Sequence, residues 1–389
     1  MVATVKELRQ QEERRPITQL GVGVVSRNVV DATIDLAIKH GVYLTLIASR
    51  RQIDMDDLGA GYVEGWDAER LAEHVRSRGG EDYVLLGRDH GGPWQNPTEN
   101  DLGAEEAMAS SIRSFHADID AGFQFLHIDP SVSPDGQPDE NIVLDNMATL
   151  YRECWAYAAS VGADIAFEVG PEEQANIHSS MERPRRMLTM LRDLCSTEDL
   201  PPPTYAVVQT GTLVMERRNV GSIDLPYRVE GQPPSEVFLP EVLRMLDEFG
   251  VHLKQHNTDY LSTEILQWHP LLSIHAANVA PEYGVAETLT LLQVLESRGL
   301  GKLAERFLQL AYDTHKWEKW MIDGTTASDR ERSIIAGHYA FSTPEVREIK
   351  DEADQILGRT AETTVDELLQ AEIRTSLMRY MTAFRLVNS

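Results

Sequence analysis

Tyr83-Val84-Leu85-Leu86-Gly87-Arg88-Asp89-His90-Gly91-Gly92-Pro93-Trp94 is the stretch that decides the fold. Its apolar start reads as a short buried strand. It ends in an acid beside an imidazole, and a Gly-Gly-Pro turn follows, which is expected to leave open space in front of them. An Asp-His pair there offers a metal ligand and a proton carrier side by side. Other apolar runs end alike, in His127 and Asp129, in Glu168, in Gln209 and in His256. Chemically able residues closing successive buried strands are the sequence form of a (β/α)8 barrel site.

Outward from that stretch, short β-branched runs alternate with longer amphipathic ones. Strands are expected at 20–25, 42–47, 83–86, 123–128, 164–167, 205–208, 251–254 and 271–275. Eight such runs are the count for a closed parallel barrel of α/β class. Helices are expected at 28–40, 67–78, 105–121, 145–160 and 235–249, then at 284–298 and 302–310. The stretch 211–234, with Gly221, Pro226 and Pro233-Pro234, reads as a long loop of the kind that carries substrate contacts. Residues 1–315 are assigned to the barrel and 316–389 to a C-terminal helical extension packed on it.

The chain has 389 residues, 42% of them hydrophobic, enough for a sizeable core. A formal net charge of -26 argues against a nucleic-acid backbone or an anionic membrane surface as partner. An anionic substrate is still compatible with it, since a pocket can be locally basic. No apolar run approaches the roughly 20 residues of a membrane span. The start, 1–15, is charged and helix-prone without an apolar signal core. Cys154 and Cys195 lie in helical contexts and read as buried thiols, which fits a cytoplasmic location.

Imidazoles and carboxylates converging from several strands can hold a divalent cation with an open position. Such a cation polarises a carbonyl and stabilises the enediolate left when a neighbouring bond breaks. A carboxylic acid must move the hydroxyl proton, and Asp89 and Asp129 are placed for it. His127 and Asp129 project to the same side of a strand, because the side-chain period is two. Plainer roles stand beside these. Asp89 can cap the turn, His127 can orient a ligand rather than be one, and Glu168 can pair with an arginine. His40, His74, His116, His178, His252, His269, His315 and His338 fall mostly on helices or loops and read as solvated or satisfied. His275 ends the eighth expected strand, with Asn278 just after, where such barrels often bind phosphate.

The chain resembles the family of the tagatose-bisphosphate aldolase non-catalytic subunit, which includes ketose 4-epimerases. The family run Gly-Gly-Asp-His-x-Gly-Pro, followed by Trp-Gln, is similar to Gly87 through Gln95. Its Ala-Gly-Phe-x-x-Ile-His-Leu-Asp-x-Ser is similar to Ala121 through Ser131. Thr-Glu-Val-Pro is similar to Phe167-Glu168-Val169-Gly170-Pro171, and Val-Val-Gln-x-Gly to Val207 through Gly211. Glu-Ala-His-Ser-Thr-Asp-Tyr is similar to Lys254-Gln255-His256-Asn257-Thr258-Asp259-Tyr260. The resemblance implies a barrel related to class II aldolases. In those relatives the Asp of the Asp-His pair is the acid/base and the His binds the metal. A second metal His matches His256, and Gln209 stands near where a third is expected, so Glu168 or His127 completes the set. This chain departs at His275-Ala276-Ala277-Asn278 and at Tyr339 through Pro344, where the family carries a Lys and an Arg able to meet a phosphate. Arg88, Arg217 and Arg218 are candidates to compensate.

The expected function is therefore a metal-dependent sugar aldolase or ketose C4 epimerase working by retro-aldol chemistry on a ketose or ketose phosphate. The expected metal ligands are His90, Glu168 and His256, and the catalytic residues Asp89, Asp129 and Glu168. The substrate contacts expected are His127, Gln209, Asp259, His275, Asn278 and Arg88. Zinc is the expected ion, with manganese, cobalt or nickel as alternatives. The competing reading is a non-catalytic subunit that stabilises a separate aldolase. Either reading allows a homo-oligomer or an aldolase partner subunit. A kinase finds no Gly-x-x-x-x-Gly-Lys-Ser/Thr loop.

Overall fold

The computed structural model describes residues 7, 8, 10, 14–171, 181–224, 234–357 and 363–387. His178, Pro226, Pro233 and most of 1–15 lie outside the described residues. Eight parallel strands close into a barrel. In chain order they are β1 (Gln19–Gly23), β2 (Leu44–Ser49), β3 (Val84–Gly91), β4 (Phe125–Ile128), β5 (Ala166–Val169) and β6 (Tyr205–Val207). After a two-stranded ribbon, β7 (Val214–Met215) and β8 (Arg218–Asn219), come β9 (His252–Gln255) and β10 (Ala276–Val279). Around the barrel the order is β1-β10-β9-β6-β5-β4-β3-β2.

Helices of the outer layer are α1 (Arg27–His40), α2 (Ala68–Ser77), α3 (Ala104–Ala121), α4 (Glu140–Val161), α5 (Glu182–Glu198), α6 (Ser235–Phe249), α7 (Thr263–Trp268) and α8 (Pro281–Ser297). Each strand sends alternate residues to two different cores. Outward residues such as Leu46, Leu86, Leu126 and Leu253 join the layer under the helices, the larger core. Inward residues at the lower end, Leu85, Phe125, Ala166, Tyr205 and Ala276, form a small plug that Leu8 completes. The upper interior is polar and carries the site described below.

One strand differs from expectation. The run 271–275 is not the eighth strand. Leu271 and Leu272 lie on a 3-10 turn, Pro270–Leu272, and stand largely exposed. Ala276–Val279 is the segment in register with both neighbours, pairing Gln19 through Val22 on one side and Lys254 and Gln255 on the other. Leu271-Leu272 is the more apolar run, but the small residues of Ala276–Val279 are the ones that fit between two strands.

Beyond α8 the chain adds α9 (Gly301–Asp313), α10 (Asp329–Ala336), α11 (Pro344–Leu357) and α12 (Val365–Ala383). Val285, Leu291, Phe307, Ile334, Val346 and Ile349 form a separate core there. The last helix rejoins the barrel: Ile373, Leu377, Tyr380 and Phe384 pack into the larger core, and Thr18 N donates to Phe384 O at 3.2 Å. The segment between α9 and α11 reaches the upper face. Glu216 N, in the β7–β8 turn, donates to Trp320 O, and Glu64 N, in the loop after β2, donates to Ser342 Oγ. No helix among the described residues is long and apolar enough to cross a membrane.

Candidate active site

Strand period places Leu85, Gly87 and Asp89 of β3 inside the barrel and Leu86 and Arg88 outside it. Arg88 is accordingly fixed between strand and helix. Its guanidinium grips Asp118 of α3 through two hydrogen bonds, 2.8 and 2.5 Å, and donates to Ala48 O and Ile53 O. It is buried and away from the mouth, so the expectation of a substrate contact at Arg88 is corrected.

At His90 the period breaks. Its backbone is left-handed, φ 49°, and the β3–β4 register shifts between Arg88 and Gly91. A bulge of this kind re-aims a side chain at the cost of local strain. It turns the imidazole back over the mouth, where Nδ1 meets Asp129 Oδ2 at 2.7 Å. Ser131 Oγ and Gln95 Nε2 hold the same carboxylate. The Gly-Gly turn is closed rather than open. A Cβ on Gly92 would lie 2.3 Å from Asp129 O, so only glycine permits this approach of β3 to β4. Arg50, 1% exposed, fixes the turn from behind, donating to Gly92 O at 2.9 Å while Glu99 and Asp54 hold its other nitrogens.

Asp89, His127, Glu168 and His256 each offer one ligand atom, all within 4.8 Å of one another. Three come from adjacent strands, and His127 and Glu168 are direct register partners. His127 Nδ1 lies 3.8 Å from Glu168 Oε1 and 3.9 Å from Asp89 Oδ1. His256 Nε2 lies 3.0 Å from Glu168 Oε1 and 3.8 Å from Asp89 Oδ1. The other nitrogen of His127, Nε2, donates to Gly170 O at 2.8 Å, so Nδ1 is the acceptor nitrogen; it faces the cluster and takes a hydrogen bond from His90 N at 3.2 Å. Gly170 itself sits at φ 126°, and a Cβ there would be 2.3 Å from Val207 O. Asn278 leans across from β10, its Nδ2 3.2 Å from Asp89 Oδ1 and 3.0 Å from His256 Nε2.

The carboxylates are held ionised. Burial pushes Glu168 up, but Lys254, His127 and His256 outweigh it and bring it down to about 2. Burial also opposes the charge on Asp89, and the three histidines around it outweigh that too, holding it well below the usual carboxylate range. Asp129 is lowered in the same way, burial being overcome chiefly by His90. Two anionic oxygens and two imidazole nitrogens, convergent and all but Asp89 buried, are a donor set that fits a divalent cation of the zinc or manganese kind.

The structure thus gathers Asp89, His127, Glu168, His256 and Asn278, with His90 and Asp129 alongside. Among the expected ligands, His90 stands apart from the four-donor group. It belongs to a second, overlapping group with His127 and Asp129. His275 is corrected outright. It precedes β10, stacks on His252 at 3.9 Å and accepts from Leu253 N, all at the barrel's lower end. Asp259 caps α8, accepting from Ala280 N and Glu282 N, and burial with nearby Glu282 raises it to about 7. Gln209 turns its oxygen to Gly211 N and Thr212 N of its own loop. One residue escaped the sequence reading: Lys254, buried in the barrel with Nζ 2.5 Å from Glu168 Oε2. Its signal was available, since it precedes His256, the residue just past the end of β9, by two and so shares its side.

No protein-family model matches the chain. Solved structures share its fold. One titled a "probable tagatose 6 phosphate kinase" from Sinorhizobium meliloti 1021 superposes with a TM-score of 0.74, at 19% identity, over 94% of this chain and 100% of its own. A fructose-bisphosphate aldolase from Campylobacter jejuni gives 0.56 at 12% identity, over 100% of this chain and 96% of its own. The fructuronate-tagaturonate epimerase UxaE from Cohnella laeviribosi gives 0.55 at 12%, over 95% and 81%. At these identities the likeness is one of fold.

Proposed function

We propose that this chain is a metal-dependent sugar enzyme that breaks and remakes a carbon–carbon bond of a ketose or ketose phosphate, as an aldolase or a C4 epimerase. The observation that carries the proposal is the four-donor cluster of half-buried Asp89 with buried His127, Glu168 and His256 at the mouth of the barrel. Burying two carboxylates among imidazoles opposes folding unless the charges are compensated, so a plain scaffold gains nothing from them. This weighs against the reading as a non-catalytic stabilising subunit.

The four residues would hold a divalent cation, which when bound acts as a Lewis acid on a ketone and balances the negative charge left on the substrate when the adjoining bond breaks. The chain's own groups do the rest. His90, oriented through Nδ1 by Asp129, presents its imidazole at the mouth and takes the C4 hydroxyl proton as C3–C4 breaks. Ser131 and Gln95 keep Asp129 fixed as the orienting carboxylate. Asn278, on the strand next to β9, steadies both Asp89 and His256. Carbon 4 is not adjacent to the carbonyl, so proton abstraction alone cannot invert it. Turning the released aldehyde over before rejoining would invert it, and escape of the aldehyde would give net cleavage. Of the structural neighbours, one is named an aldolase and another an epimerase. These roles exchange two expectations: Asp89 becomes a ligand, and His90 becomes the proton carrier.

The test is metal content by elemental mass spectrometry together with turnover of ketoses and ketose phosphates. The parent is expected to carry about one equivalent of a divalent ion. His127→Ala and His256→Ala should lose it. His90→Ala should keep it and lose turnover by at least about a hundredfold. A parent that neither carries nor takes up metal would overturn the proposal.

A further inference from the structure

Barrel interiors are ordinarily filled by branched apolar side chains. Here β9 sends Lys254 inward, 5% exposed, at the level of Val207 on β6 and Ala276 on β10. A buried ammonium opposes folding unless a partner compensates it. The partner is specific. Lys254 Nζ donates to Glu168 Oε2, while the other oxygen of the same carboxylate, Oε1, faces His256 Nε2 at 3.0 Å and His127 Nδ1 at 3.8 Å. The two oxygens of Glu168 therefore have separate partners: one belongs to the lysine, the other to the donor cluster.

We propose that Lys254 is a positioning residue that holds Glu168 to one-oxygen ligation and lends the cation centre a net positive charge; this rests on the metal-site reading above. With neutral imidazoles, Asp89 and Glu168 together just balance a divalent ion. The ammonium tips the balance by one charge. A centre of that sign holds its cation less tightly than the same four ligands alone. It also favours a negatively charged chelating form of the substrate, the form that bond cleavage next to a ketone produces. A further consequence concerns the metal-free protein: the lysine neutralises one of the two buried carboxylates, so the barrel closes before the cation arrives.

A purely structural lysine would, on removal, loosen the site and weaken metal binding. The charge argument gives the opposite sign. The experiment strips the protein with a chelator, then measures the zinc dissociation constant by competition with a chromophoric chelator for the parent, Lys254→Met, Lys254→Gln and Lys254→Arg. Lys254→Met removes charge and donor. Lys254→Gln keeps a donor for Oε2 and is the better tolerated of the two neutral changes. Both are expected to bind zinc on the order of tenfold or more tightly, because a positive charge a few ångströms from the ion is gone. Lys254→Arg should stay near the parent. In the cobalt-loaded protein Lys254→Met should show weaker visible bands, as the second Glu168 oxygen is freed to join and coordination rises, whereas Lys254→Gln, which still holds Oε2, should keep them. Unchanged or weaker zinc binding in the folded neutral variants would overturn the role of Lys254 while leaving the metal site standing. A parent that binds no divalent ion would remove both.

Discussion

Replacing Glu168 by Gln in the metal-free protein should be one of the most damaging single changes in the barrel, and removing Lys254 as well should repair part of the damage. The Glu168 side chain is 1% exposed and that of Lys254 6%, with nitrogen and oxygen 2.5 Å apart. Breaking a buried pair from one side typically costs about 3–5 kcal/mol, because the remaining charge is stranded. The stranded charge has a way out that sets a ceiling. An ordinary lysine sheds its proton at pH 7 for about 5 kcal/mol, and an ordinary glutamate takes one up for about 4 kcal/mol. Glu168→Gln should therefore lose about 3–5 kcal/mol. Lys254→Met should lose less, about 2–4 kcal/mol, because His256 still faces the carboxylate. The double variant strands nothing. It should be at least about 2 kcal/mol more stable than the sum of the two losses predicts. Urea unfolding of chelator-treated protein at pH 7, followed by circular dichroism, reads all four corners of the cycle. Losses under about 1 kcal/mol for both single variants, or strict additivity in the double, would refute a compensated ion pair.

Two other perturbations reach the site and the fold through different physics. Gly170→Ala should displace the carbonyl that fixes His127, since its φ of 126° and the 2.3 Å approach to Val207 O leave no room for a methyl. Metal affinity should fall roughly 10–100-fold, read by the same competition assay, and an unchanged constant would remove Gly170 from the account. Glu287 of α8 is buried beside Asn28 at the seam between barrel and extension, and burial raises its carboxyl from 4.5 to about 7. The unfolded chain ionises first, so this group's contribution is fully present below about pH 4.5 and is lost as pH rises to about 7. Glu287→Gln removes that loss. Urea melts should show the variant gaining on the parent between pH 5 and pH 8, by up to about 3 kcal/mol, and a gap that does not widen with pH would count against it.

Much of this molecule is legible in its sequence because two periodicities rarely conflict. Seven of the eight barrel strands fall where short apolar runs meet turn residues, and the helices between them carry one apolar face. The eighth strand is Ala-Ala-Asn-Val, whose small residues suit a tight place between β1 and β9 but give little hydrophobic signal. The exposed pair Leu271-Leu272, five residues earlier, gives a stronger signal from a turn. The misplaced strand carried His275 with it to the wrong end of the barrel. Arg88 was misread for a simpler reason: period two sends it outward, and Asp118, which explains it, is thirty residues away on α3.

The roles within the site were hidden by the same bulge that makes the site. On a regular strand Asp89 and His90 face opposite ways, and only one of them could reach the mouth. Both reach the mouth here, but nothing local says which partners each one meets. That is decided by partners from other strands. Glu168, His127 and His256 surround the acid, while Asp129, fixed by Ser131 and Gln95, takes the imidazole. The left-handed turn at His90 lets consecutive residues face two neighbouring groups without competing for one position, and its strain is held in place by Arg50 beneath Gly92. Lys254 shows the converse. Its place on the strand was readable and its alternation with His256 obvious, yet a lysine at an inward position makes sense only once Glu168, eighty-six residues away, is seen to need it. Chemistry at the ends of strands can be listed from sequence; which charge compensates which is a property of the closed barrel.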